Sequence, residues 1–289
     1  MKEVTFLILG GDNRSLYLGE YLENQGFKVC YYAFNHTECY SSLEEAMNAS
    51  DVVILPLPFT RDRLTLNSPL FDDKVLISDI LALSSSKKLI FGGQLPKSFC
   101  EELDSRNCPY CDYFLLDELA IYNAVPTAEG VVQVLIEELP ITIHGMKCAV
   151  IGYGRVGKIL AHTLSHMGAE VTVFARKQSA FAEIYAASME YKHIDSLKAE
   201  YNNFDALINT VPVKLLGSLE LSKLNPECVL IEVASAPFGI DFQAAKERAF
   251  QVVKASSLPG KVAPKTAGEI IARSILPIIK EKEDTMWQQ

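Results

Sequence analysis

Short apolar runs alternate with amphipathic stretches along the first part of the chain. The runs predict buried strands at 4–9, 27–34, 51–55, 74–77, 88–91 and 113–116, and the stretches predict helices at 15–24, 43–49 and 96–107. Strands that alternate with helices are typical of a parallel sheet covered by helices on both faces. Because ligands of such sheets bind beyond the carboxyl ends of the strands, the segments at those ends are the first candidates for a site.

The same alternation begins again after a long connecting helix. Strands are predicted at 148–151, 170–174, 191–194, 205–209, 229–233 and 251–254, with helices at 155–167 and 180–188. The connecting helix is predicted at 127–139, opened by Pro126 and closed by Pro140. A last amphipathic helix is predicted to begin at Thr266, with Glu269 in its capping box.

These elements together predict an α/β chain with two doubly wound parallel-sheet, Rossmann-like domains joined by a long helix. The first domain is predicted to take residues 1–125, and the second, with the connecting helix, residues 126–265. The C-terminal helix, 266–289, carries apolar residues between 270 and 279 that have no obvious place on the second domain. We therefore expect this helix to return to the first domain.

A strand, three glycines and a helix in one short segment predict a dinucleotide site. Gly152 permits the tight turn out of the strand, Gly154 allows a close approach to a pyrophosphate, and Gly157 lets the helix pack on the strand. The alternative is a glycine-rich turn in an α/β domain without such a ligand. The predicted cofactor contacts are the residues of this turn and of two later strand ends: Gly152, Tyr153, Gly154, Arg155, Val156, Gly157, Thr210, Val211, Pro212, Ala234 and Ser235.

The end of the second strand of this motif bears on the choice of cofactor. NAD sites usually carry Asp or Glu there, whereas this chain has Arg176 and Lys177. A guanidinium pairs with a 2′-phosphate through two hydrogen bonds, and a neighbouring ammonium adds charge. The alternative is that both side chains belong to a solvated loop. We favour NADP over NAD.

Composition excludes some classes of function. The net charge of −9 over 289 residues disfavours nucleic acid as a partner. We expect no membrane span and no signal peptide, and the odd, scattered set of seven cysteines favours a reduced cytoplasmic protein over a disulfide framework. Neither the pair Cys108 and Cys111 nor the pair His162 and His166 has a spacing or context that predicts a metal site, so no metal is expected.

The architecture resembles that of amino-acid, hydroxy-acid, shikimate and methylene-tetrahydrofolate dehydrogenases. Four segments are more closely similar to one family, the A subunits of bacterial dipicolinate synthase. They are GGDNR at 10–14, YNAVPTAEG at 122–130, GYGRVG at 152–157 and SLPGKVAPKTAG at 257–268. The last is the most specific, because no general requirement of a dinucleotide fold demands it. One departure is Glu232, where related loops often carry Asp followed later by two glycines.

This resemblance implies an activity, a partner and a compartment. The chain would act with a flavoprotein-like B subunit in the cytoplasm of the mother cell of a sporulating bacterium. It would use NADP to oxidise a dihydrodipicolinate-type intermediate to dipicolinate. The small dicarboxylate substrate would need cations, and the strand ends and loops offer Arg14, Lys261 and Lys265, with amides at Gly10 and Gly11. The alternative for these positions is a surface charge or a tight turn.

The catalytic base and the exact function stay open at this stage. Lys265, Asp79 and Glu118 are the candidate catalytic residues, and the sequence does not choose among them. A non-catalytic NADP-binding partner subunit is one alternative function. Another NADP-dependent dehydrogenase, of shikimate or methylene-tetrahydrofolate type, is a second. A homo-oligomer is also left open.

Overall fold

The computed structural model describes residues 4–35, 39–198 and 203–286. These residues divide into two compact units. The first takes the described residues up to Tyr122 together with those from Ala263 onward, and the second takes Asn123–Val262. The final three residues of the predicted C-terminal helix, 287–289, lie outside the described residues.

The first unit is built on a parallel sheet. Its described strands are β1 (Thr5–Leu9), β2 (Lys28–Tyr32), β3 (Val52–Ile54), β4 (Leu89–Gly92) and β5 (Tyr110–Asp112), in the spatial order β2-β1-β3-β4-β5. Its helices include α1 (Asn13–Asn24), α2 (Leu43–Ala49), α3 (Ile77–Leu83) and α4 (Lys97–Ser105). Phe6 and Ile8 of β1 enter one core cluster and Leu7 and Leu9 enter another. Both faces of β1 are therefore buried, which explains its unbroken apolar run.

The second unit contains a second parallel sheet. Its described strands are β6 (Lys147–Ile151), β7 (Glu170–Ala175), β8 (Glu190–His193), β9 (Ala206–Asn209), β10 (Val229–Glu232) and β11 (Val252–Lys254), in the order β11-β10-β9-β6-β7-β8. The helices are α6 (Arg155–His166), α7 (Gln178–Ala186), α8 (Ser218–Leu221), α9 (Phe242–Glu247) and α10 (Leu258–Val262). Helix α5 (Asp117–Glu138) contains the end of the first unit and the start of the second. The two predicted doubly wound sheets are confirmed.

The C-terminal helix α11 (Pro264–Met286) packs within the first unit, as predicted. Ile270, Ile271 and Ile275 are buried in the cluster that contains Phe6 and Ile8. Burial of each such side chain stabilises the fold by about 1.5–3 kcal/mol. The return of this helix therefore follows from its apolar face.

A close helix approach explains one glycine of the 257–268 segment. A Cβ on Gly268 would lie 2.3 Å from the backbone oxygen of Arg14 in α1. A larger residue at this position would force α11 away from α1. Gly268 thus serves the packing of the first unit.

The connecting helix differs from the prediction. Helix α5 begins at Asp117 and runs through Pro126, which was expected to open it. Proline removes one backbone donor from a helix interior. The helix nevertheless continues past Pro126, and the Thr127 hydroxyl donates to the backbone oxygen of Asn123 at 2.6 Å. The start predicted at residue 127 is therefore wrong.

The greater length of α5 also bears on the expectation of no membrane span. Among the described residues, α5 is the one helix long and apolar enough to cross a bilayer by length and composition. Core helices of globular proteins meet the same test, and 39% of the most apolar window of α5 is buried within the protein. The expectation of no membrane span therefore stays a prediction.

Two predicted strands of the first unit are wrong. Residues 74–77 form no strand; Leu76 makes an isolated antiparallel bridge with Thr65, and α3 begins at Ile77. The strand expected at 113–116 is β5, which ends at Asp112 and is followed by a 3₁₀ turn. Tyr113 is buried in that turn, and its hydroxyl donates to the Leu55 backbone oxygen at 2.9 Å. Apolar composition alone did not distinguish these turns from strands.

The segment 258–266 was expected to be an open loop with a helix starting at Thr266. It instead forms α10 and the first turn of α11, which begins at Pro264. Proline suits the first position of a helix, because its missing N–H would have no partner there. Thr266 therefore lies inside α11 rather than at its N-cap, and the Glu269 carboxylate pairs with Arg273 at 3.1 Å.

Candidate functional site

The glycine-rich turn of the second unit has the geometry that a dinucleotide site requires. Gly152 follows β6 with a φ of +98°, and a Cβ there would lie 2.5 Å from the Thr210 hydroxyl oxygen. A Cβ on Gly157 would lie 2.2 Å from the Gly152 oxygen, so the glycine lets α6 approach the turn. A Cβ on Gly154 would meet no atom within 4 Å, which leaves open space above the start of α6. A phosphate fits such a space at a helix N-terminus.

A cavity of about 330 Å³ lies at this turn. Its lining brings together predicted cofactor residues from three strand ends: Gly152, Tyr153, Gly154, Arg176, Lys177, Thr210, Val211 and Pro212. The volume lies within the range of ligand pockets. Arg176 and Lys177 are exposed and follow directly after β7, so two cations stand at the mouth of the cavity.

Other predicted cofactor residues lie beside this cavity rather than in its lining. Arg155, Val156 and Gly157 form the first turn of α6. Ala234 and Ser235 follow β10. None of these five is among the described residues that line the cavity.

Tyr153 is fixed by side chains of α6. Its hydroxyl lies 3.1 Å from His162 Nε2, and Lys158 Nζ lies 5.4 Å from the centre of its ring. Lys158 also pairs with Glu183 at 2.5 Å. Burial raises the pKa of the Tyr153 phenol, while Lys158 opposes the shift. The phenol therefore stays neutral, and its position within the glycine turn is anchored.

A buried carboxylate organises the loop after β10. Glu232 is 1% exposed and accepts hydrogen bonds from the backbone N–H groups of Ala234, Gly239 and Ile240, at 3.0, 2.8 and 2.8 Å. A buried carboxylate is tolerated when donors satisfy both oxygens. Glu232 thus fixes the loop that contains Ala234 and Ser235. The sequence singled out Glu232 only as a departure from related loops.

The two glycines after β1 have a packing role. Gly10 and Gly11 have φ values of +64° and +110°. A Cβ on Gly10 would lie 2.6 Å from Leu66 Cδ2, and one on Gly11 would lie 2.1 Å from the Ser15 hydroxyl oxygen. Both positions therefore require glycine because the backbone is left-handed and the neighbours are close. Their contact with a substrate stays a prediction.

Arg14 is already engaged within the first unit. Its Nε and one terminal nitrogen donate to the Asp12 carboxylate at 2.9 and 2.8 Å, and its side chain is 11% exposed. The same terminal nitrogen also donates to the Leu57 backbone oxygen. Asp12 caps α1 by accepting from the Arg14 backbone N–H. The guanidinium thus joins the ends of β1 and β3, and the sequence did not identify Asp12 as its partner.

The remaining candidates lie in different parts of the chain. Asp79 is exposed in the first turn of α3, because the strand predicted at 74–77, whose end it would have followed, does not form. Glu118 is exposed in the first turn of α5. Lys261 lies in α10 of the second unit, and Lys265 lies in the first turn of α11 in the first unit; both are exposed. Their catalytic or substrate roles stay predictions.

The cysteines and histidines form no metal site in the described residues, where no cluster of three ligands occurs. No disulfide joins the described cysteines. Cys108 is buried, and burial raises its pKa to about 11. A buried neutral thiol is a poor nucleophile and a poor metal ligand. His162 and His166 are stacked beside Tyr153.

Two family models match the chain, one in each unit. A model of the N-terminal domain of the dipicolinate synthase A subunit matches residues 5–114. A model described as the NAD binding domain of D-isomer specific 2-hydroxyacid dehydrogenases matches residues 129–241. The second match covers the glycine turn and the cavity, so the second unit is a nicotinamide-dinucleotide-binding domain of an oxidoreductase.

Three relatives match nearly the whole chain. The dipicolinate synthase A subunit of Bacillus subtilis (strain 168) is 31% identical over 283 residues, which is 95% of each chain. The crystal structure of the dipicolinate synthase A subunit from Bacillus halodurans has a TM-score of 0.88 at 28% identity, covering 96% of this chain and 98% of that one. The crystal structure of the same subunit from Bacillus subtilis has a TM-score of 0.88 at 29% identity, covering 98% of both.

Proposed function

The chain belongs to the family of dipicolinate synthase A subunits, and on that premise we propose that it oxidises a dihydrodipicolinate-type intermediate to dipicolinate with NADP. The observation that carries the proposal is the cavity of about 330 Å³ at the glycine turn, with Arg176 and Lys177 at its mouth. The proposed substrate follows from the family, and the cavity supports the choice of cofactor.

The residues of the second unit suit a dinucleotide with a 2′-phosphate. The open space at Gly154 and the N-terminus of α6 suit the pyrophosphate. Arg176 and Lys177 follow β7, where a carboxylate would select NAD and repel a 2′-phosphate. Thr210, Val211 and Pro212 line the same cavity from the end of β9. These positions support NADP as the cofactor.

The reaction needs little from the protein beyond positioning and charge. NADP+ held at the glycine turn by residues such as Gly152, Gly154 and Arg176 would supply a hydride acceptor, and loss of a proton would then leave the ring an aromatic pyridine. The protein orients the ring, neutralises two carboxylates and removes the proton. Lys261 and Lys265 are the candidate cations for the carboxylates, with Arg14 and the amides of Gly10 and Gly11 as further candidates. Lys265, Asp79 and Glu118 are the candidate proton acceptors.

The family name, which is that of an A subunit, also supports a partner subunit. The chain acts with a flavoprotein-like B subunit in the cytoplasm of the mother cell during sporulation. It takes neither nucleic acid nor a membrane as a partner, and a homo-oligomer is compatible with this function. The first unit, which ends at Tyr122 and resumes at Ala263, would take the substrate, and the second unit, Asn123–Val262, would take NADP.

The alternative function is a non-catalytic subunit that binds NADP while its partner carries out the chemistry. A purified-component assay separates the two. The chain by itself, the B subunit by itself and their mixture are each supplied with the intermediate and NADP+, and the formation of NADPH is followed by its absorbance. Reduction by the chain without its partner supports an enzyme. Reduction by the isolated partner at the rate of the mixture would assign the chemistry to the partner.

A further inference from the structure

A groove on the first unit carries three cationic side chains. It has a volume of about 480 Å³ and lies between two segments that follow the neighbouring strands β3 and β4. Its lining comprises Thr60, Arg61, Arg63, Gln94, Pro96, Lys97 and Ser98. No described acidic residue is in the lining, although the whole chain has a net charge of −9. A local excess of positive charge at the carboxyl edge of a parallel sheet favours an anionic ligand.

The segment after β3 is fixed in shape. Asp62 accepts from the backbone N–H groups of Leu64 and Thr65, at 2.9 and 2.8 Å, and from the Thr65 hydroxyl at 2.7 Å. These hydrogen bonds hold the pKa of the Asp62 carboxyl well below its usual range. The negative charge of Asp62 is therefore paired with N–H groups of its own loop. An antiparallel bridge between Thr60 and Leu66 closes this loop.

The arginines are presented by this loop in different ways. Arg61 Nε donates to Asn67 Oδ1 at 3.0 Å, and Asn67 Nδ2 donates to the Pro58 backbone oxygen at 3.1 Å. Asn67 is 8% exposed, so a buried amide orients the guanidinium while using one of its five donors. Arg63 has a φ of +65°, and its side chain is exposed.

The segment after β4 provides the opposite wall. Asp112 accepts from the backbone N–H groups of Gln94 and Leu95 at 3.0 and 2.9 Å, which fixes the turn into α4. Helix α4 begins at Lys97, so the positive end of its dipole lies at the groove. Lys97 Nζ is 3.4 Å from Glu101, but both side chains are highly exposed, and such a pair contributes little.

We propose that this groove binds the carboxylates of an aromatic or dihydroaromatic dicarboxylate. The proposal rests on the proposed function for the choice of ligand, and the binding site itself rests on the three cations. One wall carries Arg61 and Arg63 and the other carries Lys97, so the groove can pair with two carboxylates. A monocarboxylate would leave the cations of one wall without an anionic partner. Arg14, whose guanidinium is paired with Asp12, does not line the groove.

Calorimetric titration of the full-length chain with dipicolinate tests the proposal. Arg63→Gly removes a cation and suits the left-handed backbone at this position, and Lys97→Ala removes a cation from the opposite wall. Each substitution should weaken dipicolinate binding about tenfold or more, because each removes a charge-assisted contact. Arg106→Ala, an exposed cation at the other end of α4, is the matched control and should bind as the wild type does.

Other titrations make the outcomes distinct. NADP affinity should be unchanged in both groove variants, and picolinate and inorganic phosphate should bind the wild type more weakly than dipicolinate. The groove proposal would be refuted if dipicolinate binding is undetectable, if it is unchanged in both groove variants, or if Arg106→Ala loses as much affinity as they do. It would also be refuted if the groove variants lose NADP affinity, or if picolinate or phosphate binds more tightly than dipicolinate. If the chain still forms dipicolinate in those cases, the proposed function survives. If the groove binds dipicolinate but no NADPH forms in any mixture, the proposed function fails and the groove remains.

Discussion

The Asn209 amide donates a hydrogen bond to Glu232 Oε1 at 2.7 Å, and these two residues are register partners at the ends of β9 and β10. Both are buried. The Asn209 side chain also bonds the backbone of Val211 through its nitrogen at 3.0 Å and its oxygen at 3.2 Å. The pair therefore connects the Thr210–Pro212 wall of the cofactor cavity to the loop that follows β10.

Replacing this carboxylate by an amide should loosen both loops. In Glu232→Gln an N–H₂ group would face N–H donors, and leaving buried groups unpaired costs about 1–3 kcal/mol. We expect a lower Tm in calorimetry together with weaker NADP binding. Glu227→Gln, an exposed carboxylate of the same unit, is the control and should change neither. A Glu232→Gln variant with unchanged Tm and NADP affinity would show that the network does not support the cavity.

The second prediction concerns cofactor choice. Arg176→Ala should lower NADP affinity about tenfold or more and leave NAD affinity nearly unchanged, because only NADP carries a 2′-phosphate. Titration of both dinucleotides by calorimetry measures the difference. Lys246→Ala removes an exposed cation of α9 and should alter neither affinity. Equal affinity of the wild type for NAD and NADP, or no loss in Arg176→Ala, would contradict the NADP assignment.

The third prediction concerns the other candidate cations, Lys261 in α10 and Lys265 at the start of α11. If these lysines rather than the groove hold the carboxylates, Lys261→Ala and Lys265→Ala should each weaken substrate binding by about 1.5–3 kcal/mol while NADP affinity stays nearly unchanged. Steady-state kinetics of the complete enzyme and NADP titration provide the two readouts. Lys280→Ala, an exposed lysine of the same helix, is the control. If only NADP binding suffers, these lysines belong to the cofactor site.

The fourth prediction concerns alkaline stability. Burial raises the pKa of the Cys228 thiol to about 12, and the negative charge of Asp205 adds to the shift. The unfolded chain titrates this thiol near about pH 8.5, so it loses a proton that the folded chain keeps. The free energy of unfolding should therefore fall as the pH rises from about 8.5 toward about 12.

Urea unfolding of wild type and Cys228→Ala at about pH 8 and about pH 9.5 isolates this thiol. The wild type should lose about 1 kcal/mol more than the variant over that interval. Comparing the two pH values within each protein cancels the packing cost of the smaller side chain. Equal losses in both proteins would show that Cys228 does not make this contribution.

Local sequence patterns predicted the sheets and the glycine turn because their determinants are local. The apolar runs of β6 and β7, the three glycines and the spacing to Arg176 follow directly from the geometry of one strand–turn–helix–strand unit. The return of α11 was also predictable, because a helix with an apolar face must bury it. The start of α11 at Pro264 was not predictable, because the preference of proline and glycine for loops is only an average tendency.

The side-chain networks depend on contacts between residues distant in sequence. Asn209 and Glu232 are 23 positions apart, and Arg14 and Leu57 are 43 apart. The cationic groove likewise combines two loops that follow different strands. The available sequence signal for the groove wall at Lys97 was Pro96, which precedes a helix and follows shortly after Gly92 and Gly93. No signal indicated that Asp12 would neutralise Arg14.

The most direct test of the account is the stoichiometry of NADPH and dipicolinate in the purified complete enzyme. One hydride leaves the ring for each molecule that becomes aromatic, so the account predicts equal amounts of the two products at every time point. NADPH is followed by its absorbance, and dipicolinate is quantified by chromatography of the same samples. Formation of dipicolinate without NADPH, or reduction of NADP+ without dipicolinate, would contradict the proposed reaction.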